Sequence, residues 1–195
     1  MMNTRSRSSG FSLVELLVVI AVLAITLTLA AGPFREYILM QRLRSVQSQL
    51  TTDLAFARSE AISRDTFVQM RVQTSGAGTC YIIYSRADSG SSDPCDCTAN
   101  PGSRCASGTS ELKTVLLPTN ESISIAVPTG QPALLTISPR TGGTSMVSAV
   151  ESITVTNYMV ETQIDQVRRF RTTMSPQGRV QVCSPDVTVV GGTAC

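Results

Sequence analysis

One feature constrains this chain most: residues 16–34 form a run of nineteen residues without a charged side chain. As an α-helix that rises about 1.5 Å per residue, the run would extend about 28 Å, close to the roughly 30 Å of hydrocarbon in a bilayer. Arg5 and Arg7 precede it, and such basic flanks stay on the cytoplasmic side. The run therefore predicts a membrane helix, with the rest of the chain exported. A secretory signal peptide is the alternative, although its apolar core is usually shorter, about 7 to 15 residues.

A single carboxylate, that of Glu15, lies at the edge of this run, four residues after Phe11. An ionised side chain in apolar surroundings is costly and needs a partner. Cleavage between Gly10 and Phe11 would create an α-amino group close enough in sequence to pair with Glu15 of the same or of a neighbouring subunit. Processing of the amino terminus would therefore give the Glu15 carboxylate the partner that it needs.

The string GFSLVELLVVI at residues 10–20 resembles the class III leader junction of type IV pilins and type II secretion pseudopilins. The resemblance implies cleavage after Gly10 by a prepilin peptidase, N-methylation of Phe11, and use of Glu15 in docking the subunit into a growing filament. It also implies a single-pass protein of the bacterial inner membrane, with a cytoplasmic amino terminus and a periplasmic carboxyl-terminal domain. Such a subunit joins other minor and major pilins or pseudopilins through its amino-terminal helix, in a pilus or pseudopilus.

Beyond the run, apolar residues recur with gaps of three or four. They are Leu39, Leu43, Val46, Leu50, Leu54, Ala57 and Ala61. This spacing predicts an amphipathic α-helix that ends near Arg64 and packs on the chain's own domain. Pro33, preceded by Gly32, removes a backbone hydrogen bond and predicts a kink. Residues 53–64, which lead into VQMRV at 68–72, resemble the helix-to-strand junction of the GspH/FimT family.

From residue 67 the apolar period becomes two. Residues 68–72 and 80–84, joined by Ser-Gly-Ala-Gly at 75–78, predict a hairpin. Further strands are predicted at 112–117, 121–127, 133–138, 152–160, 166–174 and 178–183, separated by prolines and glycines. Seven or eight short strands indicate an antiparallel, sandwich-like domain.

Six cysteines in an exported chain predict three disulfides. Cys183 with Cys195 is favoured, because this pair would close a thirteen-residue loop at the carboxyl end, worth about 3 kcal/mol in the chain-entropy model. The other four pair among themselves in an order that the sequence leaves open: Cys80, Cys95, Cys97 and Cys105. A four-cysteine zinc site is the alternative, but Cys-x-x-Cys spacing does not occur.

Catalysis is not expected, because the chain has no histidine. Without imidazole there is no Ser-His-Asp triad, no Cys-His pair and no histidine metal ligand. No carboxylate pair with a recognisable acid–base motif replaces them. We therefore expect no catalytic residue, no metal and no cofactor, and a function that resides in binding surfaces.

The last thirty residues carry four arginines against one aspartate, which favours an anionic partner. Arg169 and Arg171 would share one face of a strand. Some members of the FimT branch are DNA receptors whose tails carry Gly-Arg-x-Arg, and Gly178-Arg179 matches the first half of that element. Gln181 replaces the second arginine, so the resemblance is incomplete. With Arg169 and Arg171 compensating for the missing arginine, the tail predicts salt-sensitive, sequence-independent DNA binding by Arg169, Arg171, Gly178 and Arg179, and solvated charges on a strand face are the alternative.

These patterns and the resemblance predict an α+β, type IV pilin-like chain, in which a long amino-terminal helix packs on an antiparallel β-sandwich-like domain. The expected segments are a leader at 1–10, a transmembrane helix in the filament core at 11–34, its amphipathic continuation at 35–65, and a periplasmic, disulfide-stapled β domain at 66–195. The favoured function is a minor pilin that helps to initiate a type IV pilus at its tip. A type II secretion pseudopilin and a DNA-binding pilin for natural transformation are the alternatives.

Overall fold

The computed structural model describes residues 11–88, 95–145, 157–186 and 192–195. The chain divides into two compact units, Met1–Met40 and Gln41–Cys195. One long helix, α1 (Leu13–Arg64), contributes to both units. All the described strands lie in the second unit. The fold is α+β, as predicted.

The described residues of the first unit are Phe11, Ser12 and the amino-terminal part of α1, from Leu13 to Met40. Judged by length and hydropathy, no single described helix qualifies as a membrane span, whereas Leu13–Leu29 and Phe34–Arg64, bent by 44° across the residues between them, qualify as a pair. The bend coincides with Gly32 and Pro33, where the sequence predicts a kink.

The part of α1 in the second unit presents a buried stripe, as its apolar spacing predicts. Leu50, Leu54, Ala57 and Ala61 are all buried on one side of the helix. The helix ends at Arg64, which confirms the predicted boundary. Asp65 follows with a φ of 50°, a left-handed conformation that commonly stops a helix.

Nine strands are described in the second unit: β1 (Phe67–Ser75), β2 (Gly78–Arg86), β3 (Thr109–Pro118), β4 (Ser124–Ala126), β5 (Leu134–Ile137), β6 (Thr144–Ser145), β7 (Tyr158–Gln163), β8 (Arg169–Met174) and β9 (Val180–Cys183). Five of them form a sheet in the order β3-β2-β1-β5-β6, and four form a second sheet in the order β4-β7-β8-β9. Every neighbouring pair is antiparallel. The predicted hairpin is confirmed, with Ser75 opposite Gly78.

Three strand predictions need correction. Residues 121–127 contain only the short β4, because a 3₁₀ turn at Thr119–Glu121 ends with Ser122 at a φ of 58° and turns the chain there. Residues 166–168 do not begin β8, because the Asp165 carboxylate accepts hydrogen bonds from the backbone N–H groups of Val167 and Arg168 and holds a turn. The prediction at 152–160 overlaps β7 only from Tyr158, and residues 152–156 lie outside the described residues.

The main core lies between α1 and the inner faces of the two sheets. It contains the α1 stripe together with alternate residues of β1 and β2, among them Val68, Met70, Tyr81 and Ile83. From the second sheet come Tyr158, Val160 and Met174. The alternation of one inward and one outward residue along each strand produces this inner face.

A second, smaller core lies on the outer face of β2. It is formed by Cys80, Ile82, Tyr84, Cys95, Cys97 and Leu134. The cysteine-rich loop between β2 and β3 supplies Cys95 and Cys97, so this loop covers the sheet. As a result β2 is buried on both faces, whereas the strands of an antiparallel sheet commonly have one face exposed to solvent.

Candidate functional site

The amino-terminal part of α1 presents apolar side chains on all sides, and they are uncovered in the single chain. Phe11 is 82% exposed, and Leu17 is 57% exposed. The same is true of Val14, Val18, Val19, Ile20, Val22, Leu23, Ile25, Leu27 and Leu29. A helix that is apolar all round is stable when buried among other apolar groups. This surface therefore requires lipid or partner helices.

The polar side chains within this surface are few and mostly satisfied internally. The Thr26 hydroxyl donates to the backbone oxygens of Val22 and Leu23, at 3.1 and 2.9 Å. The Thr28 hydroxyl donates to the Ile25 oxygen at 2.8 Å. Such bonds remove the cost of a hydroxyl in apolar surroundings.

Two of the predicted processing and assembly residues are described, and they lie four residues apart in the chain. Phe11 lies two residues before Leu13, the first residue of α1, and Glu15 is the acidic residue of the first turn of that helix. A carboxylate in the first turn also interacts favourably with the helix dipole. Gly10, the predicted cleavage position, lies outside the described residues.

The two arginines predicted to bind DNA do share the outward face of β8, but they are ion-paired there. Arg171 Nη2 lies 2.7 Å from Glu161 Oε1, and Arg169 Nη1 lies 3.2 Å from Glu161 Oε2. Arg169 Nε also contacts Asp186 Oδ2 at 3.0 Å. Two cations and two carboxylates leave this cluster without net charge. It therefore attracts a phosphate backbone less than the sequence indicates.

Sequence reasoning missed these ion pairs because Glu161 lies eight and ten residues before the arginines. They meet because β7 and β8 pair in a register that places Glu161 opposite Arg171. Phe170, between the two arginines, points inward and is buried. The sequence predicts that the side chains of β8 alternate between the two faces of the sheet, but it does not predict that Glu161 lies opposite Arg171.

Gly178 and Arg179 lie apart from that cluster, in the turn between β8 and β9. Gly178 has a φ of 78°, and a Cβ there would lie 2.4 Å from the Gly142 oxygen. The Arg58 Nη1 donates to the Gly178 oxygen at 3.2 Å, which fixes the turn to α1. The glycine is thus required by backbone conformation and close packing, while Arg179 is exposed.

All six cysteines form disulfides: Cys80–Cys97, Cys95–Cys105 and Cys183–Cys195. The last pair is the one favoured by the sequence. It holds the tail beside β9, where the Ser184 N–H donates to the Thr193 oxygen at 2.7 Å. Among the described residues no group of side chains could hold a metal ion.

A buried polar cluster connects α1 to the five-stranded sheet and was not predicted. The Tyr81 hydroxyl donates to Asp53 Oδ2, and Lys113 Nζ contacts Asp53 Oδ1, both at 2.6 Å. Burial raises the pKa of the Tyr81 phenol, and the hydrogen bond to the charged Asp53 raises it further. Both partners of Asp53 keep its carboxylate satisfied, so the cluster is structural.

A second buried contact connects α1 to the four-stranded sheet. The Gln47 amide donates to the Thr172 hydroxyl at 2.7 Å and accepts from the Thr162 hydroxyl at 2.6 Å. Asp53 and Gln47 lie on opposite edges of the apolar stripe, six residues apart. The helix is thus fixed to each sheet by a specific polar residue.

Comparison with known proteins gives two family matches. Residues 5–31 match the prokaryotic N-terminal methylation motif, and residues 47–184 match the family of type II transport protein GspH. No curated protein matches the chain significantly.

One similar solved structure is the minor pseudopilin EpsH from the type 2 secretion system of Vibrio cholerae. It is 14% identical to this chain, with a TM-score of 0.42, and the match covers 73% of this chain and 96% of that one.

Proposed function

The chain belongs to the GspH family of minor pilins and pseudopilins, and on that premise we propose that it is a minor pilin of a type IV pilus. Members of this family are structural components of filament assembly, not enzymes. The proposed role is to help initiate the pilus at its tip, together with other minor and major pilins. No catalytic step is assigned to any residue.

The uncovered apolar surface of α1 carries this proposal. The segment at 11–34 would lie in the inner membrane before assembly and in the filament core afterwards, since both environments cover apolar groups on all sides. Its continuation at 35–65 would hold the domain at 66–195, which would be periplasmic before assembly. Leader residues 1–10 would be removed by the prepilin peptidase.

Glu15 has a specific place in the proposed assembly step. In a lipid or helix-bundle environment its carboxylate needs a cation. The α-amino group of a processed and methylated Phe11 supplies one, from the same subunit or from its neighbour. The separation of only four residues between Phe11 and Glu15, which lies in the first turn of α1, supports this pairing.

The disulfides favour a pilus over a secretion pseudopilus. A pilus extends outside the cell and bears mechanical tension that cross-links help its subunits to withstand, whereas oxidation alone does not separate the two filaments, because the periplasm is oxidising as well. Three disulfides restrain the unfolded chain, and Cys183–Cys195 ties the tail to β9. A type II secretion pseudopilin is the alternative function, with the same anchoring and processing.

Gene deletion in the host, followed by complementation, distinguishes a function in the type IV pilus from a function in type II secretion. We expect the deletion to remove most surface pili and to leave protein secretion unchanged, with pili restored by the native chain. Complementation by the Glu15→Ala variant should fail. Normal pili with exported proteins retained in the periplasm would instead show that the chain serves type II secretion.

A further inference from the structure

Two turns of the second unit meet over one arginine of α1. A Cβ added at Gly142, in the β5–β6 loop, or at Gly178, in the β8–β9 turn, would lie within 2.9 Å of Arg58 Nε. The turns are also bonded to each other, since the Thr144 N–H donates to the Pro176 oxygen at 2.9 Å. The surface formed here, which we call the Arg58 surface, is therefore well fixed.

This surface has an excess of positive charge. The end of α1 from residue 58 to 65, the loop at 138–144 and the turn at 175–179 carry four arginines against one glutamate and one aspartate, a net charge of +2. Arg64 is paired with Glu60. Within the described part of the chain, Arg58, Arg140 and Arg179 have no carboxylate partner.

The structure therefore separates the arginines of the carboxyl-terminal segment that the sequence suggested as one DNA-binding group. Arg169 and Arg171 are neutralised by Glu161 and Asp186, whereas Arg140 and Arg179 are near in sequence to Gly142 and Gly178, the two glycines that lie against Arg58. Arg140 and Arg179 are exposed, and the Arg58 Nε is buried with no hydrogen-bond partner among the described atoms. Arg140 and Arg179 are therefore the cations that an outside anion can reach directly.

An apolar side chain lies beside them. Ile62, on the same side of α1 one turn after Arg58, is 52% exposed, and a Cβ at Gly142 would lie 2.8 Å from its Cδ1. An exposed aliphatic group next to arginines is typical of protein interfaces, where arginine is enriched around apolar contacts. Phosphate backbones offer nothing for Ile62 to contact, so the composition favours a protein.

We propose that Arg58, Ile62, Arg140 and Arg179 form a docking surface for an acidic segment of a neighbouring filament subunit. The inference rests on the proposed function, which brings subunits together through the amino-terminal part of α1. The Arg58 surface lies near the carboxyl end of the same helix, so it is available for contacts between globular domains. Carboxylates of the neighbour complement its net positive charge.

Site-specific photo-crosslinking in the host tests this inference on the full chain. A photoreactive residue replaces Gln177, an exposed residue of the β8–β9 turn, and in a parallel strain Leu23 of the apolar surface. We expect position 177 to crosslink to an acidic segment of another subunit. Arg140→Glu with Arg179→Glu should reduce this yield about fivefold, while Arg140→Lys with Arg179→Lys should retain it, because the contact depends on charge.

The crosslink from position 23 distinguishes a failure of the docking surface from a failure of the proposed function. Crosslinks to other subunits from position 23 but none from position 177 would overturn the docking surface and leave the proposed function standing. A crosslink from position 177 to nucleic acid, to a basic segment, or with a yield unchanged by charge reversal would also overturn it. No crosslink to another subunit from either position would overturn the proposed function and this inference with it.

Discussion

The two parts of α1 bury apolar residues in different ways. From residue 11 to 29, apolar side chains surround the helix and are exposed in the single chain, while from residue 43 to 61 they form one stripe that the chain's own sheets cover. The stripe at 43–61 is covered within one molecule, whereas the apolar side chains at 11–29 are not. The difference indicates that α1, which is bent between Leu29 and Phe34, combines a folding surface with the surface that we propose for assembly.

The polar residues of the two parts follow the same division. In the second part, Gln47 and Asp53 are buried and find partners on the two sheets. In the first part, Thr26 and Thr28 bond to their own helix, and Glu15 is exposed in the single chain. This exposure agrees with our proposal that Glu15 pairs with a partner during assembly.

The largest expected effect contrasts the same substitution in the two parts. Leu54→Ala should lower the free energy of unfolding of the second unit by about 3 kcal/mol, because Leu54 is 1% exposed and truncation leaves a cavity. Leu17→Ala, at a position 57% exposed, should leave it unchanged. Urea unfolding of the processed chain in detergent micelles, followed by tyrosine fluorescence, measures both. Equal losses would contradict the division of α1.

Gln47→Ala should have the next largest effect on the second unit. The change leaves the Thr162 and Thr172 hydroxyls buried without their partner, at a cost of about 2 kcal/mol. Gln49→Ala, at an exposed position on the same helix, is the matched control. The same unfolding assay applies, and a stability like that of the control would show that this buried contact contributes little.

Glu15→Ala should act on assembly alone. Loss of its pairing with the α-amino group of Phe11 should lower incorporation into filaments about tenfold, which corresponds to about 1.4 kcal/mol. The leader should still be removed, and the unfolding of the second unit should not change. Immunoblots of sheared filaments and of membranes measure incorporation and processing, with Glu121→Ala as the control. Normal incorporation of Glu15→Ala would contradict the pairing.

The smallest expected effect is a shallow acid dependence of the second unit. Hydrogen bonds from the backbone and side chain of Arg168 lower the pKa of Asp165. A lowered pKa in the folded chain gives stability that is present above the ordinary carboxyl pKa of about 3.9 and lost as the pH falls through the folded value. Asp165 is exposed, so we expect less than about 0.5 kcal/mol. Asp165→Asn should flatten the decline in thermal stability below about pH 4; an unchanged profile would exclude this contribution.

Local patterns in the sequence predict much of this molecule. The three- and four-residue spacing from Leu39 to Ala61 predicts both the stripe of α1 and its end at Arg64. The turn residues at 75–78 predict the first hairpin. The short closing loop favours the Cys183–Cys195 pair. Each of these features depends on residues that are close in sequence.

The features that the sequence does not predict depend on contacts between residues that are far apart in the chain. Cys80 pairs with Cys97 because the cysteine-rich loop folds over the outer face of β2, and spacing alone does not specify that. Likewise, the register of β7 against β8 brings Glu161 to Arg171, which removes charge from the predicted DNA-binding arginines. Loop packing over α1 brings Gly178, the residue before Arg179, against Arg58 and the Gly142 oxygen, and these contacts also join residues far apart in sequence.

Mass spectrometry of this chain, isolated from sheared filaments of the host, tests the central claim most directly. The account predicts a mature chain that begins with N-methylated Phe11 and carries three disulfides. A chain that retains residues 1–10, or one found in membranes but never in filaments, would contradict the account that the amino-terminal part of α1 is a processed assembly surface.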